Sequence, residues 1–451
     1  MKKRLTVLML LLCGPLTALA QNPIIQTHYT ADPAPMVYHD TLFLYVGCDE
    51  PGAPRGTYLM REYRLYTTTD MVNWTDCGAI LKTSQFKWSA GDASAAQVIE
   101  RDGKFYWYIS SQNAVSPGSS IGVAVADSPY GPFHDPLEAG MVTNNMTTQA
   151  THSWDDLDPT VWMDDNGKAF LFWGNGMCYY APLNPDMTSL AGPIKAIDAK
   201  DKAALGGEYT EGPWLYKRND TYYLVYAARF PECINYSTAK NIEGPWTFRS
   251  TVMPTQKGSN TNHPGLIDYK GQSYFFYHND ALPGGHGYAR SVCVEPFTYA
   301  PDGSLPEIQM TEQGIPASLG HLNPYRKVQA ETIAWSEGIT TVQDPQGQVY
   351  VSDIHHGDYI KVREVDFGAA GARTFRASAA SRYLGGKVEL RLDGTEGTPV
   401  GTLTIPFTGE WDSWREISTP VQGAQGVHDL YLVFTGRQPL LLFNLDYWQF
   451  D

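Results

Sequence analysis

The sequence predicts an all-β protein, a five-bladed β-propeller over residues 22–315 followed by a β-sandwich (jelly-roll) module over 326–451. Five segments of the first part share one pattern: an apolar lead, a polar Asp/Asn/Gly turn, and an aromatic-rich strand. That pattern is the signature of a β-hairpin. The five copies recur at intervals of about 50–65 residues, room for some four strands each, which is the spacing of propeller blades. After residue 325 the texture changes to short strands separated by Gly/Asp/Ser turns, as in a sandwich.

In chain order, residues 1–20 come first (MKKRLTVLMLLLCGPLTALA). Basic residues precede an apolar run that ends on Ala-Leu-Ala. This reads as a secretory signal peptide, so export and cleavage after Ala20 are expected, to the periplasm, cell surface or medium. No later stretch is apolar enough to span a bilayer. The hairpins read MVYHDTLFLYVG, QVIERDGKFYWYIS, TVWMDDNGKAFLFWG, PWLYKRNDTYYLVYAA and GLIDYKGQSYFFYHN. Each carries an aromatic near the end of its second strand, namely Tyr45, Tyr108, Phe172, Tyr226 and Tyr277, spaced by 63, 64, 54 and 51 residues. Third strands are legible in REYRLYTTTDMVNWTDCG and IGVAVADSPYGPFHD. Residues 316–325 read as a linker.

A formal charge of −15 repels phosphate backbones and argues against nucleic acid as a partner. Beyond the leader, Cys48, Cys77, Cys178, Cys233 and Cys293 are odd in number and form no C-x-x-C pair, so buried free thiols are expected. The chain is expected to be a monomer.

Counting back from each register aromatic finds an ionisable residue at nearly one place. Asp32 (ADPAP) lies 13 residues before Tyr45, Asp92 (GDASA) 16 before Tyr108, and Asp158 (LDPTV) 14 before Phe172. Glu211 (TEGPW) lies 15 before Tyr226, and His263 (NHPGL) 14 before Tyr277. One Asp-Pro is ordinarily a turn. Five such positions at the mouths of channel-lining strands converge on one axial pocket. Gathered carboxylates repel, so a fold has no structural reason to collect them. Paired carboxylates are the machinery of glycoside hydrolysis, one ionised and one holding a proton. Glu211, beside Gly212, Pro213 and Trp214, is the better candidate acid; Asp158 as an anion would raise its pKa.

The set ADPAP, LDPTVW and TEGPW resembles glycoside hydrolase family 43, five-bladed propellers acting on arabinose- and xylose-containing polysaccharides. The resemblance implies Asp32 as general base, Asp158 as pKa modulator and Glu211 as general acid, with inversion at the anomeric carbon. It implies that His263 is an axial histidine that ligates calcium or a water. It also implies that Arg290, in GYARSVCV, contacts the sugar. Trp88 and Trp154 flank blade mouths and are candidate stacking residues; Asp92 is a candidate pocket contact. THYTADPAPMVYHDTLFLYVGCDE and FKWSAGDASAAQVIERDGKFYWY resemble the arabinoxylan arabinofuranohydrolase subgroup.

In the second part, VQAETIAWSEG, GDYIKVREVDFG and FNLDYWQF resemble carbohydrate-binding module family 6. That resemblance implies a structural calcium at Glu331 and Asp446, and glycan contacts from Trp411 and Asn444. A second aromatic is expected in the strand before GDY, where this chain has Asp353.

The function expected is an exported glycoside hydrolase that removes α-L-arabinofuranosyl groups from arabinoxylan, a plant cell-wall polysaccharide, with no cofactor needed for the chemistry. The alternatives are a β-xylosidase or arabinan-cleaving hydrolase of the same family, or a non-catalytic glycan-binding propeller.

Overall fold

The computed structural model describes residues 21–451 apart from Arg55 and Lys257; the expected signal peptide lies outside the described residues. Five successive antiparallel sheets come first. The first holds β1 (Thr30–Tyr38), β2 (Thr41–Asp49), β3 (Met60–Thr68) and β4 (Trp74–Lys82). The second holds β5 (Ser89–Ala93), β6 (Gln97–Arg101), β7 (Lys104–Asn113), β8 (Ser119–Ala126) and β9 (Val142–Thr143). The third holds β10 (Thr160–Met163), β11 (Ala169–Trp173), β12 (Met177–Leu183) and β13 (Lys195–Asp198). The fourth holds β14 (Tyr209–Arg218), β15 (Thr221–Ala228), β16 (Cys233–Ala239) and β17 (Thr247–Met253). The fifth holds β18 (Gly265–Tyr269), β19 (Gln272–Asn279) and β20 (Ser291–Phe297).

Local chemistry explains the hairpins. β6 and β7 are joined by Asp102-Gly103, and β18 and β19 by Lys270-Gly271, with positive φ at both central residues of each turn. Such turns twist in the sense that the strands need. The register aromatics Tyr45, Tyr108, Phe172, Tyr226 and Tyr277 all lie on second strands, at most 1% exposed. The five cysteines named above are free, and all but Cys77 are fully buried.

Among the described residues the fifth sheet has three strands, and residues 22–24 run along its β20 edge. Ile24 N–H donates to Val292 O at 2.9 Å, and Val294 N–H to Asn22 Oδ1 at 3.0 Å. β1 in turn packs against β18 and β19. The approach is close enough to need glycine: a Cβ on Gly265 would lie 2.4 Å from Pro33 O.

The second part is a sandwich of two antiparallel sheets. One contains β21 (Val328–Gln329), β24 (Thr340–Gln343), β25 (Val349–Ser352), β27 (Thr374–Ala380), β30 (Arg415–Pro420) and β32 (Asn444–Phe450). The other contains β23 (Trp335–Glu337), β26 (Tyr359–Asp366), β28 (Gly386–Leu392), β29 (Gly401–Ile405) and β31 (Val427–Thr435). They enclose a core that includes Val362, Phe375, Leu432 and Trp448. Propeller and sandwich share hydrogen bonds. The two-residue strand β22 (Thr332–Ile333) extends the first sheet by pairing with β4. Asn73 donates to Arg363 O at 3.0 Å and accepts from Arg363 N–H at 2.8 Å. Asp76 takes Arg64 of the propeller at 2.8 Å and also the Thr341 hydroxyl of the sandwich. No helix among the described residues is long and apolar enough to cross a membrane.

Arg64 and Asp76 are both buried. Asp76→Ala leaves the guanidinium only the partly exposed Glu62, 3.3 Å from Nη1, and the expected loss is at most about 3–5 kcal/mol of stability, measured by urea unfolding.

Candidate active site

Irregularities in the strands aim the acids. In β1, Ala31 pairs with Gly47 and Ala34 with Tyr45, so Asp32 and Pro33 together oppose the single residue Val46. This bulge turns Asp32 to the axis with φ of 55°. Asp158, just ahead of β10, repeats the conformation with φ of 57°. Aspartate is among the few residues other than glycine that enter this region readily. Glu211 has a register break on each side in β14. Next to it Gly212 has φ of 58°, and a Cβ there would meet His263 Cδ2 at 2.9 Å. His263 precedes β18.

These four side chains meet in a cleft of about 520 Å³. His263 lies at its centre: Nδ1 is 3.1 Å from Asp32 Oδ1, and Nε2 is 3.2 Å from Glu211 Oε1 and 3.7 Å from Asp158 Oδ2. Arg290 Nη1 donates to Asp32 Oδ1 at 3.1 Å. Asp32's own N–H donates to His278 Nδ1 at 3.1 Å. Asp158 accepts from Ala95 N–H at 3.1 Å and Gly212 N–H at 3.2 Å. Asn175 donates to Glu211 Oε2.

The charges differ accordingly. Burial pushes the Asp32 carboxyl up, but Arg290 and His263 more than offset it, so Asp32 is held well below the usual carboxylate range. Burial also opposes the charged form of His263, and Asp32 and Asp158 overcome it, pushing the imidazole well above its ordinary value. Asp158 is pushed up to about 8, by burial first and then by Glu211 and Asp32, against the pull of His263. Glu211 is pushed up by burial and pulled down by more through His263 and Asn175. The expectation of an ionised Asp158 that raises Glu211 is therefore reversed in this resting site. Burial raises Asp158 most, while the His263 ring, nearer to Glu211 than to Asp158, and Asn175 lower Glu211.

The other expected residues divide. Trp154 is 45% exposed, lines the cleft and stacks on His152 at 3.8 Å. Asp92 lines the cleft at an exposed rim position but stands apart from the central acids. Asp92 sits inside an irregularity of β5: Ser89 pairs with Asn113 and Ala93 with Ser111, four steps against two, and Asp92 is exposed there. Trp88 is not a stacking residue. It is 2% exposed, packs on Phe86 and Gly122, and is absent from the cleft lining. Motif reading missed Tyr58, Asn175, Phe230, Glu232 and Tyr288, which also line the cleft. They lie on loops and strand ends outside the repeated register, so spacing gave no signal for them.

Asp158, Glu211 and His263 each offer a ligand atom within 4.8 Å of the others. Calcium takes about 6–8 oxygens; two carboxylates and an imidazole held as a cation supply too few donors, so these residues alone do not fit it. At Glu331 the fit is better. Its carboxyl is buried beside Asp446 and Asp76, and Oε2 has no hydrogen-bond partner. In the sandwich, Trp411 is half-buried and meets Tyr383 edge-on at 5.5 Å and 89°. Tyr383 is 49% exposed; set edge-on to Trp411, it is a neighbouring aromatic and not a parallel partner for the one expected at Asp353. Asn444 is 5% exposed; it donates to Trp411 O at 2.8 Å and accepts from Ser352 Oγ at 2.9 Å. It therefore braces the Trp411 loop from below.

Comparison with known proteins adds the following. Residues 20–305 match the family described as Glycosyl hydrolases family 43, and residues 329–451 match Carbohydrate binding module (family 6). An arabinoxylan arabinofuranohydrolase of Bacillus subtilis is 35% identical, over 95% of this chain and 92% of its own. One of Paenibacillus polymyxa is 34% identical, over 95% of this chain and 74% of its own. A crystal structure of a glycoside hydrolase family 43 arabinoxylan arabinofuranohydrolase from Bacillus subtilis, in complex with cellotetraose, superposes with a TM-score of 0.84 at 34% identity. It covers 96% of this chain and 99% of that one.

Burial raises the Glu331 carboxyl from 4.5 to about 9, with Asp76 and Asp446 adding to it. The fold thus favours the protonated form, and stability erodes as pH rises from 4.5 toward 9. Glu331→Gln removes this dependence. In chelator at pH 8 the variant is expected to melt above the wild type, the gap closing toward pH 4.5. Millimolar calcium is expected to raise the melting temperature of the wild type only.

Proposed function

The chain belongs to glycosyl hydrolase family 43 and carries a family 6 carbohydrate-binding module, and from that premise we propose that it removes α-L-arabinofuranosyl groups from arabinoxylan with inversion. The observation that carries this reading is the meeting of Asp32, Asp158 and Glu211 around His263 in one cleft. Two relatives that match 95% of this chain bear the name arabinoxylan arabinofuranohydrolase. In this reading the five sheets are the five blades of a closed propeller, residues 22–315 are the catalytic domain, and residues 1–20 direct export.

Asp32, held ionised by Arg290 and His263, takes a proton from water as the water attacks the anomeric carbon. A whole imidazole ring, contacted at 3.1 Å and 3.2 Å, separates Asp32 from Glu211. Such a gap is wider than the ~5–5.5 Å of retaining enzymes and suits the ~6.5–9.5 Å that leaves room for water in inverting ones. Asp158 and Glu211 titrate as a pair that keeps a proton near neutral pH. Glu211 delivers it to the leaving xylan oxygen, because its side chain is 14% exposed where that of Asp158 is 2% exposed. Asp158 stays enclosed by the N–H groups of Ala95 and Gly212 and sets the pair's proton affinity. Trp154 and the 63% exposed Phe230 on the rim offer flat faces to the xylan chain. Neither proton transfer needs a cofactor. A cation at Glu331 and Asp446 would be structural.

Asp32→Ala and Glu211→Ala should fold and lower free arabinose release from wheat arabinoxylan by about 10²–10⁴-fold. Wild-type-like release by either variant overturns the assignment. Trp154→Ala is expected to raise KM for the polymer severalfold while leaving hydrolysis of a small aryl arabinofuranoside nearly unchanged.

A further inference from the structure

Asp49 lies near the end of the stretch THYTADPAPMVYHDTLFLYVGCDE, which by itself suggests no role for it, and it touches none of the three carboxylates assigned above. It ends β2 and is 2% exposed. Its whole carboxyl is given to Arg290, 241 residues away. Oδ2 accepts from Arg290 Nε at 2.9 Å and from the Arg290 main-chain N–H at 3.0 Å, and Oδ1 accepts from Nη2 at 2.9 Å. A fork-to-fork pair of this kind fixes the plane of a guanidinium as well as its position. With that plane fixed, Nη1 is the end left to face the site, 3.1 Å from Asp32 Oδ1 and 3.3 Å from Thr261 Oγ1. The Tyr58 ring, 4.9 Å from the guanidinium carbon, covers one face. Asp49 N–H also donates to Tyr29 O, and Thr30 N–H to Arg290 O, so the pair is built into the seam beside β1.

We propose that Asp49 is a positioning residue for hydrolysis: through Arg290 it places the N–H that holds Asp32 ionised and aimed at the attacking water. A buried arginine has donors to spare and several ways to turn. Without the Asp49 fork the guanidinium is free to swing onto Asp158 or Glu211, which lie in the same cleft. An Arg-carboxylate pair of purely structural use would have no reason to leave one guanidinium nitrogen on the expected base. This inference rests on reading Asp32 as the base.

The test is kinetic, with Asp49→Asn, Arg290→Lys and the double variant on an aryl arabinofuranoside. Asp49→Asn is expected to lower kcat at least tenfold with KM within threefold, and to move the acid limb of the kcat/KM profile to higher pH. The sign follows from Arg290: when its N–H leaves Asp32, the carboxyl takes up a proton more readily. The double variant should be no slower than Arg290→Lys alone, because Asp49 acts through that residue. Asp49→Glu, which keeps the charge at a longer reach, is expected to exceed Asp49→Asn at least threefold. Wild-type kcat in Asp49→Asn, an unmoved or lowered acid limb, or losses that multiply in the double variant would overturn the proposal. A folded wild type without turnover of any arabinofuranoside overturns the reading of the site itself. Activity lost in Asp32→Ala but intact in Asp49→Asn overturns only the positioning role.

Discussion

The burial of Asp32 as an anion is the constraint on which the rest of the molecule turns. A carboxylate taken out of water must be paired or must take up a proton. Here it is paired twice, with Arg290 and His263. Arg290 follows the return from the last hairpin to β20 and His263 precedes β18, whereas Asp32 lies in β1. The ends of the propeller must therefore meet before the charge can be buried. Residues 22–24 laid along β20, and the close seam between Gly265 and Pro33, are what bring them together.

The same ring of charge divides labour among like groups. Asp158 and Glu211 are both carboxylates that meet His263, and they diverge because burial raises the more deeply enclosed Asp158 while the nearer imidazole and Asn175 lower Glu211. Backbone irregularity places them. Regular strands alternate their side chains between faces, so an acid aimed along the axis at a strand mouth requires a bulge or a left-handed residue. Asp32, Asp158 and Gly212 supply these.

The sandwich is joined to the first sheet through β22 and through buried polar contacts at Asn73 and Asp76. Its aromatic pair, the exposed Tyr383 and the half-buried Trp411, is therefore held by a body hydrogen-bonded to the one that holds the cleft. A glycan held by the sandwich and a chain cut in the cleft would then be handled by surfaces joined through buried contacts.

The repeat pattern and the acids were legible without coordinates. Hairpins declare themselves by short-range turn chemistry, and residues such as Asp102-Gly103 act within four positions of one another. The register of the aromatics followed because each is the core residue of its own sheet. Asp32, Asp158, Glu211 and His263 were found because the fold repeats and they share one phase of the repeat. Trp88 misled because an indole beside a strand mouth reads alike whether it faces the cleft or Gly122. Asp92 is exposed within the irregular pairing of β5 between Ser89 and Ala93. Asp49, Asn175 and Tyr383 could not be read at all. Their roles are contacts across 241, 36 and 28 residues with Arg290, Glu211 and Trp411. The order of proton affinities was also beyond the sequence, since it depends on the distances of one imidazole ring from three carboxylates. Sequence by itself determined which groups gather at the axis, because that follows from local strand and turn propensity repeated in phase. Only the tertiary structure decided which of them are charged and what holds them, because burial and Coulomb attraction depend on distances that chain order does not carry.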